Sequence, residues 1–597
     1  MTLATAPASL ASGIAQIDQM ADRAFAGWKV PGFVYGLIHG GELVHVRGLG
    51  TLRVGEDATP DARSVFRIAS MTKSFTAAAV LSLRDEGLLR LDDPIDRYVP
   101  ELEALRYPTA DSPRITIRHL LTMTAGFPTD DPWGDRQQGL DPGDFSTILR
   151  GGLSFAWAPG TRFEYSNTGY GILGRLITNV VGREYREVVR ERLLAPLGMH
   201  ETGYLEEEVD PERLARGYIW RDGAFVEEPM DGYGALAAMG GIFTTVEDLT
   251  HWVAGFLDAV PPRDDPDDRH PLSRASRREM QQPMVPEVVR LSHTSADAMP
   301  DAEGSHYGFG LFQIDDVRYG RSIGHGGGYP GFGTHMRWHP ASGLGLVAFT
   351  NHRYGPAGPL ARDMLNELLR AEAAPLRRTR PNTATLAARE TVERLIEDWD
   401  DAVAAATFAM NVELDEPLEL RKAAIARIRE RHGRLRRDES TPEESQTSYH
   451  LLWWLEGDKG RVKVELLLSP ELPPRVQTFA LTSVPEPPKL LRRAAERVVA
   501  VLEAPPTGPV TIDWPKDLVV SSGTDIGPVV RSMRATEARF APLTLGPVVD
   551  GDGEKKATFR LHGPRGRVDL VLTLDLEAGC VGSVALVPVK LAPPALD

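Results

Sequence analysis

The sequence predicts an α/β (α+β) catalytic domain, built as an antiparallel sheet flanked by helices, and two small α+β modules after it. Strand-like segments occur at both ends of a long helical middle in the first 375 residues. Sheets that form from such distant segments bury one face under the helices between them. The remaining sequence repeats a helix-then-strands pattern at an offset of about 105 residues, close to one small domain.

The elements of the first domain follow from periodicity and turn residues. Residues 10–27 have the spacing of an amphipathic helix, and Val30–His39 and Glu42–Gly50 read as strands joined by a glycine turn. A helix is predicted from Ser70 to Gly87. Further elements are predicted as strands Tyr307–Ile314, Val317–Ile323, Gly333–His339 and Gly343–Thr350, and as a helix from Gly358 to Ala371.

The C-terminal part contains an internal repeat. Gly460–Leu468 resembles Gly566–Leu574, and Phe479–Val484 resembles Val584–Val589. A linker is predicted at 373–382, where Ala-Pro, Arg-Arg and Arg-Pro interrupt the apolar pattern. The predicted domains are therefore 1–375, 376–487 and 488–597. Two unrelated α+β domains with similar strand patterns remain the alternative to a duplication.

Composition excludes several classes of function. The net charge of −16 argues against a nucleic-acid partner, because phosphate binding needs a basic face. The single cysteine, Cys580, excludes a disulfide within the chain and a thiolate zinc site. We see no signal peptide and no run of 18 or more apolar residues, so we expect a cytoplasmic protein without a membrane partner.

Ser70-Met71-Thr72-Lys73 is the first candidate catalytic motif. Positions i and i+3 of a helix lie one turn apart on the same face, which brings the Ser70 hydroxyl and the Lys73 amine within reach. The hydroxyl would also lie at the positive end of the helix. This is the arrangement of an activated serine nucleophile. Taken alone, the motif fits equally a capping serine followed by a solvated lysine.

Tyr165-Ser166-Asn167 is the second motif, at a predicted loop–helix junction. The Tyr165 phenol could relay a proton if a nearby cation lowers its pKa. The Asn167 amide could hold a lysine or a substrate carbonyl. A helix cap preceded by a packed aromatic ring is the alternative.

The third motif is the glycine-rich segment 324–333. It contains a formal Gly-x-Gly-x-x-Gly, but Pro330 and a following strand-like run do not fit the strand–turn–helix context of a dinucleotide site. Glycines at this density let a substrate backbone lie against a strand edge, with free N–H groups that can form an oxyanion hole.

Together and in this order, the three motifs resemble those of the serine β-lactamase and penicillin-binding-protein superfamily. The resemblance covers roughly residues 10–372 and is to the branch with class C β-lactamases, D-aminopeptidases (peptidase S12), D-alanyl-D-alanine carboxypeptidases and family VIII esterases. It implies a β-lactamase/transpeptidase-like fold and no metal or cofactor.

The resemblance also assigns roles to individual residues. It implies that Ser70 is the acylated nucleophile, that Lys73 helps to deprotonate it, and that Tyr165 carries the proton to the leaving group. Asn167 would orient Lys73 and the substrate amide. The remaining implied positions are His325 and Gly327 along the strand-edge wall, and the N–H groups of Ser70 and Gly328 as the oxyanion hole.

His325 departs from the pattern of β-lactamases, which usually have a lysine there to attract the substrate carboxylate. A histidine is mostly neutral at pH 7. We therefore expect hydrolysis of an ester or amide without a required free carboxylate, and a D-amino-acid-containing peptide is one such substrate. The alternatives are an acyltransferase or transpeptidase, a β-lactamase or D,D-carboxypeptidase, and a catalytically silent binding protein. The expected partner is a small ester, amide or short peptide, and self-association into a homo-oligomer stays open.

Other candidate sites are weaker. His335 and His339 would lie on one face of a strand but about 13 Å apart, too far to share a metal. The acidic run 264–268 resembles a calcium loop in composition only. Asp130, Asp131 and Trp133 lie in a long loop of the kind that often forms the wall of an active site.

Overall fold

The computed structural model describes residues 3–263, 270–292, 301–316, 319–370, 380–503, 526–540, 542–563, 566–577 and 579–589. The chain divides into two compact units. The first comprises Met1–Leu291 and Asp301–Leu376, and the second consists mainly of Arg377–Ala595. Within the described ranges, no helix has the length and apolar character needed to cross a membrane.

The first unit combines a large sheet with many helices. Its strands are β1 (Gly32–His39), β2 (Glu42–Gly50), β3 (Phe66–Arg67), β4 (Tyr218–Arg221), β5 (Ala224–Glu227), β6 (Phe243–Thr244), β7 (Val285–Ser292), β8 (Asp301–Tyr307), β9 (Phe312–Asp316), β10 (Gly320–Tyr329), β11 (Phe332–His339) and β12 (Leu344–Thr350). Its helices are α1 (Ala11–Gly27), α2 (Thr72–Asp85), α3 (Ile117–Leu121), α4 (Asp131–Gly134), α5 (Pro142–Gly151), α6 (Asn167–Val181), α7 (Tyr185–Val189), α8 (Ala237–Gly240), α9 (Val246–Asp258), α10 (Arg274–Met280) and α11 (Ala357–Arg370).

The central sheet has eight strands in the order β2-β1-β12-β11-β10-β9-β8-β7. β1 and β12 pair antiparallel from Phe33↔Thr350 to His39↔Leu344, so the two ends of the unit meet in the middle of the sheet. One face packs on α1 and α11, and the other packs on α2, α9 and the helical middle. The predicted fold class is confirmed.

Two strand predictions in this sheet were wrong. Tyr307–Ile314 is not one strand, because the chain turns between β8 and β9, where Gly308 N–H donates to the Leu311 carbonyl at 2.8 Å. β10 does not end at Ile323 but continues through the glycines to Tyr329. Glycine has no side chain to alternate between faces, so the period-2 pattern that marks a strand disappears there.

The second unit contains two four-stranded antiparallel sheets. Their strands are β13 (Arg436–Arg437), β14 (His450–Gly457), β15 (Gly460–Leu468), β16 (Val476–Pro485), β17 (Thr544–Gly551), β18 (Lys556–Gly563), β19 (Gly566–Asp575) and β20 (Cys580–Pro588). The helices are α12 (Thr383–Glu397), α13 (Asp401–Thr407), α14 (Met410–Asp415), α15 (Leu418–His432), α16 (Lys489–Glu503) and α17 (Ile526–Phe540).

The two sheets of the second unit have the same order, β13-β14-β15-β16 and β17-β18-β19-β20. Each has a register shift at the corresponding place in its third strand, between Leu467 and Leu468 and between Thr573 and Leu574. The first sheet packs on α12–α15 and the second on α16 and α17. The predicted small C-terminal modules are present. Their boundaries at 375/376 and 487/488 stay predictions, and most of the predicted linker lies outside the described residues.

Candidate active site

Ser70 lies in a 3₁₀ turn, Ala69–Met71, between β3 and α2. The predicted helix therefore begins two residues later than expected, at Thr72. Ala69 has a φ of +49°, a left-handed conformation that is uncommon for a residue other than glycine. The Ile68 N–H donates to the Ile242 carbonyl at 2.9 Å and anchors the start of the turn. The turn places the half-buried Ser70 at the N-terminus of α2, the positive end of its dipole.

The side chain of Lys73 is completely buried beside Ser70. Its Nζ lies 2.9 Å from Ser70 Oγ, 2.7 Å from Asn167 Oδ1 and 2.9 Å from the Met239 carbonyl oxygen. These partners come from the nucleophile turn, α6 and α8. The alternative interpretation of this motif, in which Lys73 is solvated, is therefore excluded.

Burial lowers the pKa of Lys73 to about 8. Desolvation disfavours the ammonium form, and the nearby carboxylates Asp131, Asp135 and Asp130 oppose this by favouring it. The amine is thus partly neutral near pH 8, where it can accept a proton.

Asn167 is the first residue of α6, and two acidic side chains hold it. Its backbone N–H donates to Asp130 Oδ1 at 2.6 Å, and its side-chain Nδ2 donates to Asp131 Oδ1, also at 2.6 Å. Asp130 also accepts from the Thr168 N–H at 2.8 Å, which makes it a cap of the helix. The loop that carries Asp130 and Asp131 therefore contacts the predicted site residue directly.

Tyr165 interacts with the Ser70 hydroxyl, and Lys73 Nζ lies 4.9 Å from the centre of its ring. The expected cation is therefore present, but it does not lower the pKa of the phenol. Burial raises the pKa of Tyr165 well above 10, the charge of Asp131 raises it further, and the bond to Ser70 only partly opposes them. Tyr165 stays protonated at neutral pH, so it can pass on a proton but is not a resident phenolate base.

His325 is almost completely buried on β10 and lies against an aromatic wall. Its Nδ1 lies 2.6 Å from the Gly326 carbonyl oxygen and its Nε2 lies 3.3 Å from the Tyr307 hydroxyl. The rings of Phe312, Tyr307 and Tyr165 lie 5.2, 5.9 and 6.3 Å from the imidazole. Burial, helped by the charge of Lys73, lowers the pKa of His325 to about 3, so this ring is neutral at pH 7.

The glycines of β10 let the strand pass directly over the nucleophile turn. A Cβ atom on Gly327 would lie 2.1 Å from the Ile68 carbonyl oxygen and 2.3 Å from Thr334 Oγ1. A side chain therefore cannot fit at this position. The Thr334 hydroxyl donates to the same Ile68 carbonyl at 2.9 Å and ties β11 to the turn.

The side of β10 that faces away from β11 is open beyond Gly324. β9 pairs with β10 only from Gly320 to Gly324, whereas β11 pairs with it as far as Tyr329. Tyr329 and Phe332 flank a two-residue turn, and in such hairpins hydrogen-bonded and non-hydrogen-bonded pairs alternate. The N–H of Gly328, the next residue along β10, accordingly points away from β11.

Tyr354, which follows β12, also lies at the site but was not predicted from the sequence. It has a φ of +48°, and its hydroxyl donates to Asp135 Oδ2 at 2.7 Å. Its ring lies against Gly328, because a Cβ atom there would be 2.6 Å from Tyr354 Cδ1. Burial raises the pKa of Asp135 to about 6, against the lowering effect of this hydrogen bond. No sequence pattern marks either residue, because the two lie 219 positions apart and only the folded chain brings them together.

The other candidates lie elsewhere or carry no metal-binding arrangement. Trp133 is 40% exposed on α4, and it precedes Gly134, which packs against Asn167. His335 and His339 are both on β11. Among the residues that the structure describes, no group of three or more His, Cys, Asp or Glu side chains could hold a metal ion. The acidic run 264–268 lies outside them.

Comparison with known proteins shows the family of the chain. The family model described as Beta-lactamase matches residues 17–370, and the chain belongs to this family. The D-alanyl-D-alanine-carboxypeptidase/endopeptidase AmpH of Escherichia coli (strain K12) is 30% identical over 246 residues, which are 41% of this chain and 62% of AmpH. Protein flp of Staphylococcus aureus (strain MW2) is 25% identical over 341 residues, 56% of this chain and 62% of flp. The chain thus spans less than two thirds of these relatives.

A solved structure shares the fold over nearly the whole chain. The octameric penicillin-binding protein homologue from Pyrococcus abyssi superimposes with a TM-score of 0.52 and 18% identity, and covers 97% of this chain and 98% of its own. The likeness therefore includes the C-terminal modules, which lie beyond the match to the family model.

Substitution of Gly327 by alanine should disrupt the site, whereas Gly326→Ala should be tolerated. The new Cβ at position 327 overlaps the Ile68 carbonyl, but at position 326 its nearest neighbour is His335 Nδ1 at 3.4 Å, an ordinary contact. We expect Gly327→Ala to lower stability by about 1–3 kcal/mol, the usual range for overpacking. Thermal and urea unfolding of the two variants measure the difference. Equal stabilities would contradict the close approach of β10 to the turn.

Proposed function

We propose that the protein is a serine hydrolase that forms an acyl-enzyme on Ser70. The hydrogen bond between the buried Lys73 amine and the Ser70 hydroxyl is the observation that carries this proposal. A lysine at this position without a catalytic use would bury an ionisable group and lower its pKa to about 8 with no gain in stability. Family membership supports the same conclusion.

The first chemical step would transfer a proton from Ser70 to neutral Lys73. The partners Asn167 Oδ1 and the Met239 carbonyl can only accept, so the two protons of the neutral amine point to them. Its lone pair is left for the Ser70 hydroxyl. Attack of Ser70 Oγ on the substrate carbonyl places negative charge on the carbonyl oxygen, and the N–H groups of Ser70 and Gly328 would stabilise it.

Breakdown of the tetrahedral intermediate releases the leaving group and forms the acyl-enzyme. Protonated Tyr165, which interacts with the Ser70 hydroxyl, would give its proton to the leaving oxygen or nitrogen and be reprotonated from Lys73. Water then attacks the acyl-enzyme in the reverse sequence of proton transfers. This step releases the acid product and restores the Ser70 hydroxyl, and the proposed mechanism uses no metal.

The wall formed by His325 favours a substrate without a free carboxylate. The imidazole is neutral and lies among Tyr307, Phe312 and Tyr165, so it offers a carboxylate no opposite charge. We therefore propose an ester, or an amide within a peptide, as substrate. The name of AmpH includes endopeptidase activity, and this supports a D-configured peptide bond within a chain as substrate.

Hydrolysis of a terminal D-alanine is the second candidate. It rests on the carboxypeptidase part of the name of AmpH. This reaction requires a charged group for the terminal carboxylate, and His325 does not supply one. Transfer of the acyl group to an amine or alcohol, in place of water, would use the same acyl-enzyme, and partitioning between water and an added acceptor separates the two.

Ser70, Lys73 and Tyr165 can be tested by covalent labelling and turnover. We expect a fluorophosphonate probe to label the wild-type protein and not Ser70→Ala. Lys73→Ala and Tyr165→Phe should each lower turnover of a p-nitroanilide substrate by about 10²-fold or more, the usual size of a positioned proton transfer. Mass spectrometry detects the label on Ser70, and initial rates give the turnover. An unlabelled wild-type protein would favour a silent binding protein instead.

The role of His325 can be tested with a substrate panel. We expect turnover of p-nitrophenyl esters or D-aminoacyl p-nitroanilides to exceed turnover of a chromogenic cephalosporin, because the cephalosporin carries a carboxylate that His325 leaves unpaired. Initial rates at equal substrate concentration make the comparison. In His325→Lys, the cephalosporin rate should rise relative to the esters, and the reverse ranking in the wild type would refute the proposed specificity.

The pH profile should follow the protonation of Lys73. The neutral amine is the active form and its pKa is lowered to about 8, so kcat/KM should rise about tenfold per pH unit below pH 8 and level off above it. His325 is neutral throughout this range and should add no second step. A profile that is flat between pH 6 and 9 would contradict Lys73 as the base.

We also propose that the protein self-associates. The neighbour that matches nearly the whole chain is described as octameric. Light scattering after gel filtration should give a mass that is a multiple of 65.4 kDa. A mass equal to one chain across micromolar concentrations would refute the assembly.

A further inference from the structure

Asn167 can hold Lys73 productively in only one orientation of its side-chain amide. Neutral Lys73 has two protons, and they reach Asn167 Oδ1 and the Met239 carbonyl because neither oxygen can donate. With the amide reversed, the Asn167 NH₂ group would face the amine and attract its lone pair. The lone pair would then be lost to Ser70, which needs it to give up its proton.

Asp131 is placed to prevent that reversal. Its Oδ1 lies 2.6 Å from Asn167 Nδ2, and an ionised carboxylate can only accept. The side chain sits at the start of α4, a helix held against Asn167, where a Cβ on Gly134 would lie 3.0 Å from Asn167 Cβ. Asp130 next to it accepts hydrogen bonds from the backbone N–H groups of Asn167 and Thr168 and from the Thr168 hydroxyl, so these bonds do not involve the Asn167 side chain.

We propose that Asp131 is a positioning residue that fixes the Asn167 amide and thereby directs the lone pair of Lys73 to Ser70. The proposal rests on the proposed serine hydrolase function and assigns to that site a fourth member, in the chain Asp131–Asn167–Lys73–Ser70. Asp131 touches neither Ser70 nor the proposed acyl group.

Asp131 is not the only charged or titratable group near Lys73, and the test has to separate its effect from theirs. The groups that face Lys73 or act on its charge are Asp130, Asp131 and Asp135 from the loop and α4, Tyr165 and Tyr170 around α6, and His325 from β10. Loss of any one carboxylate should shift the acidic limb of the pH profile to lower pH. Only loss of Asp131 should also reduce the rate on the plateau above the limb.

The experiment measures the phosphonylation of Ser70 by a fluorophosphonate, with release of fluoride, between pH 6 and 10. In Asp131→Ala we expect the plateau rate constant to fall about 10- to 100-fold with little change in the probe's binding constant, because the base is misdirected rather than removed. Asp135→Asn should shift the limb without this loss. Asp144→Ala, which removes an exposed carboxylate on α5, is the control for charge alone. A plateau within twofold of wild type in Asp131→Ala would overturn the proposal.

An exchange of the two side chains distinguishes positioning from a structural role. In Asp131→Asn, the side chains at positions 131 and 167 are both amides and can pair in either orientation. The orientation of the Asn167 amide is then no longer fixed, so the plateau rate should fall. In the double variant D131N/N167D, the new amide can donate to the new carboxylate, whose other oxygen accepts from Lys73. We expect about a tenfold recovery over Asp131→Asn, with the limb moved to higher pH because a carboxylate then touches the amine. No recovery at any pH, with unchanged thermal stability, would overturn the proposal.

A neutron crystal structure of Asp131→Ala tests the same point without turnover. We expect the Asn167 amide to be reversed or mixed, and the wild-type orientation alone would overturn the proposal. If the wild-type protein is not labelled at all, the proposed hydrolase function fails, while this structure still decides whether Asp131 fixes the amide.

Discussion

The buried amine of Lys73 is the constraint on which the site depends. An ammonium group without solvent must be hydrogen-bonded on every proton, and the three acceptors come from three separate parts of the chain. The nucleophile turn, the start of α6 and the end of α8 therefore have to meet at one point. The same burial brings the amine close to neutrality near pH 8, which is what a base for a serine hydroxyl requires.

The sheet forms the second half of the site through glycines, which have no side chains and let the β10 backbone come close to the turn. At Gly327 the backbone of β10 approaches the Ile68 carbonyl so closely that only hydrogen fits. Beyond Gly324 the strand has no β9 partner, and this leaves an open side next to Ser70. Glycines that resemble a nucleotide-binding motif in sequence thus allow close packing against the turn that carries Ser70 and leave an open strand edge.

Charge around the site is arranged asymmetrically. Carboxylates of Asp130, Asp131 and Asp135 lie on the α4 side, while the β10 side has the neutral ring of His325 among aromatic rings. Buried tyrosines next to Lys73 keep their protons for the same reason that Lys73 tends to lose one, since burial disfavours the charged form of each group. A lowered pKa of Tyr165 beside a cation was one condition that the sequence left open, and burial instead raises this pKa well above its ordinary value.

The sequence by itself determined that Ser70 and Lys73 meet, because they are one helical turn apart and local spacing sets their geometry. It also determined the terminal strands, the helical middle and the repeated C-terminal sheets, whose apolar patterns are local. It did not determine that β10 continues through its glycines. It also did not determine two hydrogen bonds, from the Asn167 amide to Asp131 and from the Tyr354 hydroxyl to Asp135. Only the tertiary structure decided these, because each depends on contacts between distant segments and on burial, which no local pattern encodes.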